Sequence, residues 1–397
     1  MERVVGTVIR GIRTPIVNEG DPLEDLVIKS ILRAAEVEGF GIKDRDIIGI
    51  TESVVARAQG NYATVEAITA DLKSKFDPDK PLGVVFPILS RNRFSILLKS
   101  IARSTNHIVL MLSYPSDEVG NHLVDIEALD EHAINPWTDD LTEREFRECF
   151  GDITHPFTGI DYVEHYRQII EKNACKCTIL FSNNPGGMSA YTDQALGCDV
   201  HTRCRTKRRL IQGGVQRVYG LDEIMTCPVG GSGYNPDFGL LGSNMATEDK
   251  VKLFPREGQL LVESIQQKMS KETGRQVEVL IYGDGAFKDP VGKIWELADP
   301  VVSPAYTSGL EGTPSELKIK YLADNRFADL KGDALRNAIA QQIREKGQDG
   351  TDSMESQGTT PRRLTDLIGS LCDLTSGSGD KGTPVIHIQG YFDHFAC

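Results

Sequence analysis

The stretch Val277–Tyr306, VEVLIYGDGAFKDPVGKIWELADPVVSPAY, decides how the chain is read. Val277, Val279, Leu280 and Ile281 form a β-branched and apolar run that reads as a buried strand. Gly283 and Gly285 break the run, letting the backbone turn tightly and leaving room for a ligand. Asp284 between them falls at a strand's C-terminal end, where open α/β sheets place their ligands. Lys288, Asp289, Lys293, Glu296 and Asp299 follow. Carboxylates and a lysine beside a glycine turn have the chemistry to hold a divalent cation and a phosphate. The same residues also suit a polar loop of solvated charges.

Working outward, strands alternate with helices. Val4–Ile9 reads as a strand. Asp21-Pro22-Leu23-Glu24 announces a helix, with Asp21 as cap and Glu24 completing a capping box, that ends at Gly39. Asp46–Ile50 is the next strand, and a helix covers about 65–76. A strand at 82–89, a helix at 91–104 and a strand at 107–112 lead into SYPSDEVGN at 113–121. The alternation predicts an α/β fold with a mixed sheet.

The middle is less regular. Residues 132–157 read as a surface excursion, 160–172 as a helix and 177–181 as a strand. NPGGM at 184–188 reads as a turn with too few glycines for a phosphate loop. HTRCRTKRRL at 201–210 is a basic island, either a solvated helix face or a clamp for phosphate or carboxylate. GGSGYNPDFGLLGSN at 230–244 carries Tyr234 and Phe238, so it is expected to pack over something. Helices over 259–273 and from Thr360 onward, and a strand at 384–388, complete the pattern. Three regions are expected: 1–124 and 277–397 as the two parts of one domain, and 125–276 as an inserted region.

The 397 residues carry a formal net charge of -13, which disfavours nucleic-acid and anionic-membrane partners. The eight cysteines include no CxxC pair and read as reduced thiols. No apolar run approaches the length needed to span a bilayer. A cytoplasmic location is expected.

HExxH, GxSxG, Walker A and GxGxxG elements are absent from the places they would occupy. Acidic residues recur instead in loops after strands: Glu52, Asp117 and Glu118, Asp284 and Asp289, and Asp380. Together they suit Mg²⁺ or Mn²⁺ bridging a nucleotide's phosphates, with Arg91, Arg93, Lys288 and Lys381 neutralising the remaining charge.

VVARAQGN at 54–61, SDEVGN at 116–121, IYGDGAFKDP at 281–290 and DLIGSLCDLTSGSGDKGTPVIHIQG at 366–390 together carry a resemblance. The chain resembles the coenzyme F420-0:L-glutamate ligases, and more closely a longer bacterial branch, over about 1–121 and 277–390. The resemblance implies an α/β fold in a homodimer, GTP as co-substrate, Mg²⁺ or Mn²⁺ with K⁺ as a further ion, and L-glutamate joined to a small-molecule carboxylate through an acyl phosphate. It implies metal ligands at Asp117, Glu118, Asp284 and Asp289. Nucleotide contacts are expected from Glu52, Ser53, Arg57, Asn121, Gly283, Gly285 and Lys381, and catalytic cations at Lys288, Arg91 and Arg93. Three departures stand out. Glu52-Ser53 replaces the family's Gln-Lys, Asn61 replaces an arginine, and the Asp117-to-Asn121 spacing is one residue longer. A non-catalytic nucleotide- or metabolite-binding protein of the same fold is the alternative.

Overall fold

The computed structural model describes residues 4–155, 158–283, 303–314, 316–345, 363–376 and 379–396, with the backbone alone at 287–288 and 295–296. The chain is mixed α/β and divides into two compact units. One comprises residues 1–55, 257–286 and 300–397, the other 56–256 and 287–299.

The first unit is built on a five-stranded mixed sheet in the spatial order 8–12, 385–389, 47–51, 278–282, 305–306. The strand expected at Val277–Ile281 runs Glu278–Tyr282, and every residue in it is buried. It pairs in parallel with Ile47–Thr51 and antiparallel with Ala305–Tyr306. Apolar side chains on both faces suit a strand covered on both sides. The helix Leu364–Thr375 covers one face through Ile368 and Cys372, against Ile47, Leu280 and Ile386. Gly49 is needed where that helix crosses, since a Cβ there would lie 2.4 Å from the Cys372 Sγ. The helix expected after Asp21 begins at Leu23, with Pro22 as N-cap and no side-chain cap bond, and ends at Gly39 in the left-handed conformation. Asp46 Oδ2 accepts from the Nε2 of buried His387 at 2.9 Å, a structural place for that imidazole.

The second unit holds a six-stranded sheet. Five strands are parallel: β1 (Leu82–Val85), β2 (His107–Leu112), β3 (Lys176–Phe181), β4 (Gln194–Gly197) and β5 (Arg217–Gly220). Their order is 3-2-1-4-5, with the two-residue strand Leu141–Thr142 antiparallel at the β3 edge. Helices α1 (Phe94–Ala102) and α2 (Tyr162–Lys172) share a core with one face. The 3₁₀ turn Pro185–Ala190 and α3 (Arg203–Gly213) share a core with the other through Met188 and Leu210, against Val85, Val109 and Met111. Such a doubly wound sheet reverses direction between β1 and β4, and a crevice opens there at the strands' C-terminal ends.

This topology moves the expected boundary at 124/125. β1 and β2 come from before that point, β3 to β5 from after it, and all belong to one sheet. The supposed surface excursion is also part of the core. Thr142 and Glu145 form a capping box at the start of a helix over Glu143–Phe150, and buried Phe146 stacks on Phe181 at 3.8 Å between centroids. The NPGGM glycines serve packing: a Cβ on Gly213 would lie 2.5 Å from the Gly186 carbonyl oxygen. The 230–244 loop packs as expected, with Phe238 edge-on to Phe254 and the Arg256 guanidinium 4.6 Å from the Tyr234 ring.

Candidate functional site

The crevice of the second unit is a cavity of about 540 Å³, within the range of small-molecule sites. Phe86 enters it from the end of β1, Ser113 to Glu118 from β2, Asn183 from β3, and Asp199, Thr202 and Arg205 from beyond β4. Ile126, Leu129, Ile134 and Trp137 supply an apolar wall. Phe86 sits at φ +56°, a strained conformation for a bulky residue.

Two of the expected site residues, Asp117 and Glu118, line this cavity, and hydrogen bonds fix what they do. Asp117 is buried, and four donors reach its carboxylate. Its Oδ1 accepts from the Val119 and Asn121 amides at 3.1 and 2.8 Å. Its Oδ2 accepts from the Leu89 amide at 2.9 Å and from Asn121 Nδ2 at 2.8 Å. Burial pushes this carboxyl above the usual range, against the pull of those hydrogen bonds. Glu118 accepts from the amides of Val200, His201 and Thr202, which open onto the N-terminus of α3. A protein carboxylate thus occupies the place a ligand anion would take there. The metal reading of Asp117 and Glu118 meets two carboxylates engaged with backbone amides, so this pair does not fit a cation centre as arranged. Among the described residues, no three His, Cys, Asp or Glu side chains group to hold a metal.

Arg91 and Arg93 stand exposed in the turn before α1. That turn is pinned by Asp117 and by Tyr166, whose hydroxyl accepts from the Ser90 amide and donates to the Ile88 carbonyl at 2.9 and 2.8 Å. Burial, followed by the charge of Arg91, holds His165 below the usual imidazole range. Arg57 is exposed in the same unit. In the first unit, Glu52 opens a short helix, the Ser53 amide donates to Thr51 Oγ1 at 3.4 Å, Gly283 is buried and Lys381 is exposed. Asp284, Gly285, Asp289 and the Lys288 side chain lie outside the described residues.

Asp199 and Trp137 line the cavity without a role in the sequence reading, and Arg205 comes to it from the basic island. Burial pushes the Asp199 carboxyl up, opposed by the Thr202 and Thr206 hydroxyls. The strand before it, Gln194–Gly197, is four residues long with a glutamine at its start, a weak pattern. The acid immediately beyond the apolar Ala195-Leu196-Gly197-Cys198 was the available signal. The basic island divides. Arg203 and Lys207 pair with Asp222 and Glu223, while Arg205 faces the cavity. At the position where the resemblance has an arginine, buried Asn61 accepts from the Arg256 guanidinium at 2.9 Å.

No helix among the described residues is long and apolar enough to cross a membrane. None of the curated proteins matches the chain. The profile of the F420-0:gamma-glutamyl ligases does match, and its span runs through the middle region expected to be an addition. With residues 11–390 matched, the chain belongs to the F420-0:gamma-glutamyl ligase family.

Proposed function

We propose that this protein is a GTP- and divalent-metal-dependent amide ligase, joining L-glutamate or a similar amino acid to a carboxylated small molecule such as coenzyme F420-0. The observation that carries this reading is the family match from residue 11 to 390. The strand-end cavity supports it as a site of substrate size.

In this scheme the carboxylate oxygen attacks the γ-phosphorus of GTP and GDP leaves. The amine nitrogen then attacks the acyl carbon, the C–N bond forms, the C–O bond to phosphate breaks, and the nitrogen loses a proton. Arg91, Arg93 and Lys288 neutralise phosphate oxygens, a task of positioning and charge. Glu52, Ser53, Arg57, Asn121, Gly283, Gly285 and Lys381 are assigned to the nucleotide. Mg²⁺ or Mn²⁺, with K⁺ as a further ion, would supply Lewis acidity when bound. Its assignment rests on Asp284 and Asp289, because the Asp117 and Glu118 oxygens already accept backbone hydrogens.

Glu52-Ser53 in place of Gln-Lys favours the second reading, a nucleotide- or metabolite-binding homologue without turnover. Incubation with GTP, Mn²⁺, L-glutamate and a panel of carboxylates including F420-0, following GDP and new amide by mass spectrometry, separates the two. Amide with stoichiometric GDP supports the ligase. Tight GTP binding without amide across the panel supports the binder. The resemblance also assigns a homodimer, and a mass near that of one 43.7 kDa chain in light scattering would overturn it.

A further inference from the structure

The cavity between β1 and β4 has an imbalance of charge. Four carboxylates line it, Asp117, Glu118, Asp130 and Asp199, against the single guanidinium of Arg205. Asp117 and Glu118 are engaged with backbone amides. Asp199 differs. It is fully buried, and its Oδ2 accepts the hydroxyls of Thr202 and Thr206 at 2.5 and 2.7 Å. Its Oδ1 finds no hydrogen-bond partner among the described residues. A buried acceptor without a donor is costly and calls for an explanation. Phe86, strained at φ +56°, and Trp137, an indole left 79% exposed, line the same cavity. Strained backbone gathers at ligand sites, and a large ring left in water is available for contact.

Concave sites with surplus negative charge repel polyanions and concentrate cations. A nucleoside triphosphate is therefore the wrong ligand for this crevice. An ammonium group is the right one: it carries the opposing charge, brings a donor to Asp199, and is attracted to aromatic faces. Arg205 has no carboxylate partner among the described residues, which leaves room for one ligand carboxylate at the rim. A second ligand carboxylate would fall among Asp117, Glu118 and Asp130.

We propose that this cavity binds a primary amine with an apolar body, an amino acid with an apolar or aromatic side chain, as the amine partner of the ligation in preference to L-glutamate. The inference rests on the ligase reading only for the claim that an amine is consumed; binding is independent of turnover.

The test uses full-length protein carrying Trp295→Phe, so that Trp137 is the remaining tryptophan of the two. Trp137 fluorescence, checked by calorimetry without nucleotide, is followed during titration with L-phenylalanine, phenethylamine, 3-phenylpropionate and L-glutamate. L-phenylalanine and phenethylamine are expected to bind, with 3-phenylpropionate and L-glutamate weaker by roughly tenfold or more. Asp199→Asn weakens both amines by roughly tenfold, and Arg205→Ala weakens L-phenylalanine while sparing phenethylamine. If Asp199→Asn fails to fold, Trp137→Ala read by calorimetry replaces it, with loss of amine binding expected. Binding of 3-phenylpropionate or L-glutamate as tight as that of L-phenylalanine overturns the proposal. So does amine affinity unchanged in these variants, or no amine binding at millimolar concentration. Amide formed from L-glutamate and GTP without amine binding at this cavity would sink the inference and leave the ligase standing. Amine binding without amide would do the reverse.

Discussion

Asp117 Oδ2 accepts the Leu89 amide proton at 2.9 Å, fastening the loop after β2 to the loop after β1. Sequence chemistry points to this acid as a ligand; hydrogen bonding makes it a brace for the turn that carries Arg91 and Arg93. Asp117→Asn keeps the shape but turns one oxygen into a donor. That NH₂ would confront the Leu89 amide or the Asn121 side chain, leaving buried donors unpaired. The expected loss is on the order of 2–3 kcal/mol in urea unfolding. Unchanged stability together with lost metal-dependent nucleotide binding would restore the ligand assignment.

Glu118 makes a milder prediction. Its carboxylate serves the amides of residues 200–202 at the start of α3. Glu118→Ala removes an acceptor and a favourable charge at that N-terminus, at about 1 kcal/mol. A urea midpoint equal to the parent protein's would show that water replaces the carboxylate without loss.

How far the sequence reaches is clear from particular elements. The strands at His107–Leu112 and Glu278–Tyr282 are legible because each carries a continuous apolar run, Ile108–Leu112 and Val279–Ile281. β4 and β5 are not, since Gln194–Gly197 and Arg217–Gly220 are too short and mixed to show a period; their pairing comes from neighbours distant in sequence. For the same reason the boundary at 124/125 misses a sheet whose strands flank it. Phe146 was legible in principle through Thr142-x-x-Glu145, a cap signature inside a polar segment. In the site, acids at strand ends marked the crevice, but which oxygens remain open depends on backbone amides that no spacing reveals.

Asp199 links the cavity to pH. Burial holds its carboxyl above the ordinary value of about 4. Once pH passes that value the unfolded chain has released its proton while the folded chain retains it. Raising pH further therefore drains stability until the folded group also ionises; below the window the contribution is fully present. Asp199→Asn has no such proton. Above about pH 4 the stability of the parent protein relative to Asp199→Asn should fall as pH rises until the folded carboxyl ionises, measured by urea unfolding at each pH. A difference that is flat, or that grows with pH, would contradict the assignment.

Asp284 is expected to behave in the opposite way from Asp117. It follows Tyr282, the buried last residue of the central strand, and lies between two glycines that add no side-chain packing of their own. By its chemistry and its place in the sequence just past a strand, a carboxylate between two glycines is suited to a hard cation. Asp284→Asn keeps the size and polarity while removing the charge that a divalent cation needs. The melting temperature should stay nearly unchanged, and Mn²⁺-dependent GTP binding, read by calorimetry with and without metal, should be lost. Paired with Asp117→Asn, this gives a crossed result: one acid costs stability and the other costs binding. A large drop in melting temperature with metal-dependent binding intact would make Asp284 a fold determinant and move the cation elsewhere.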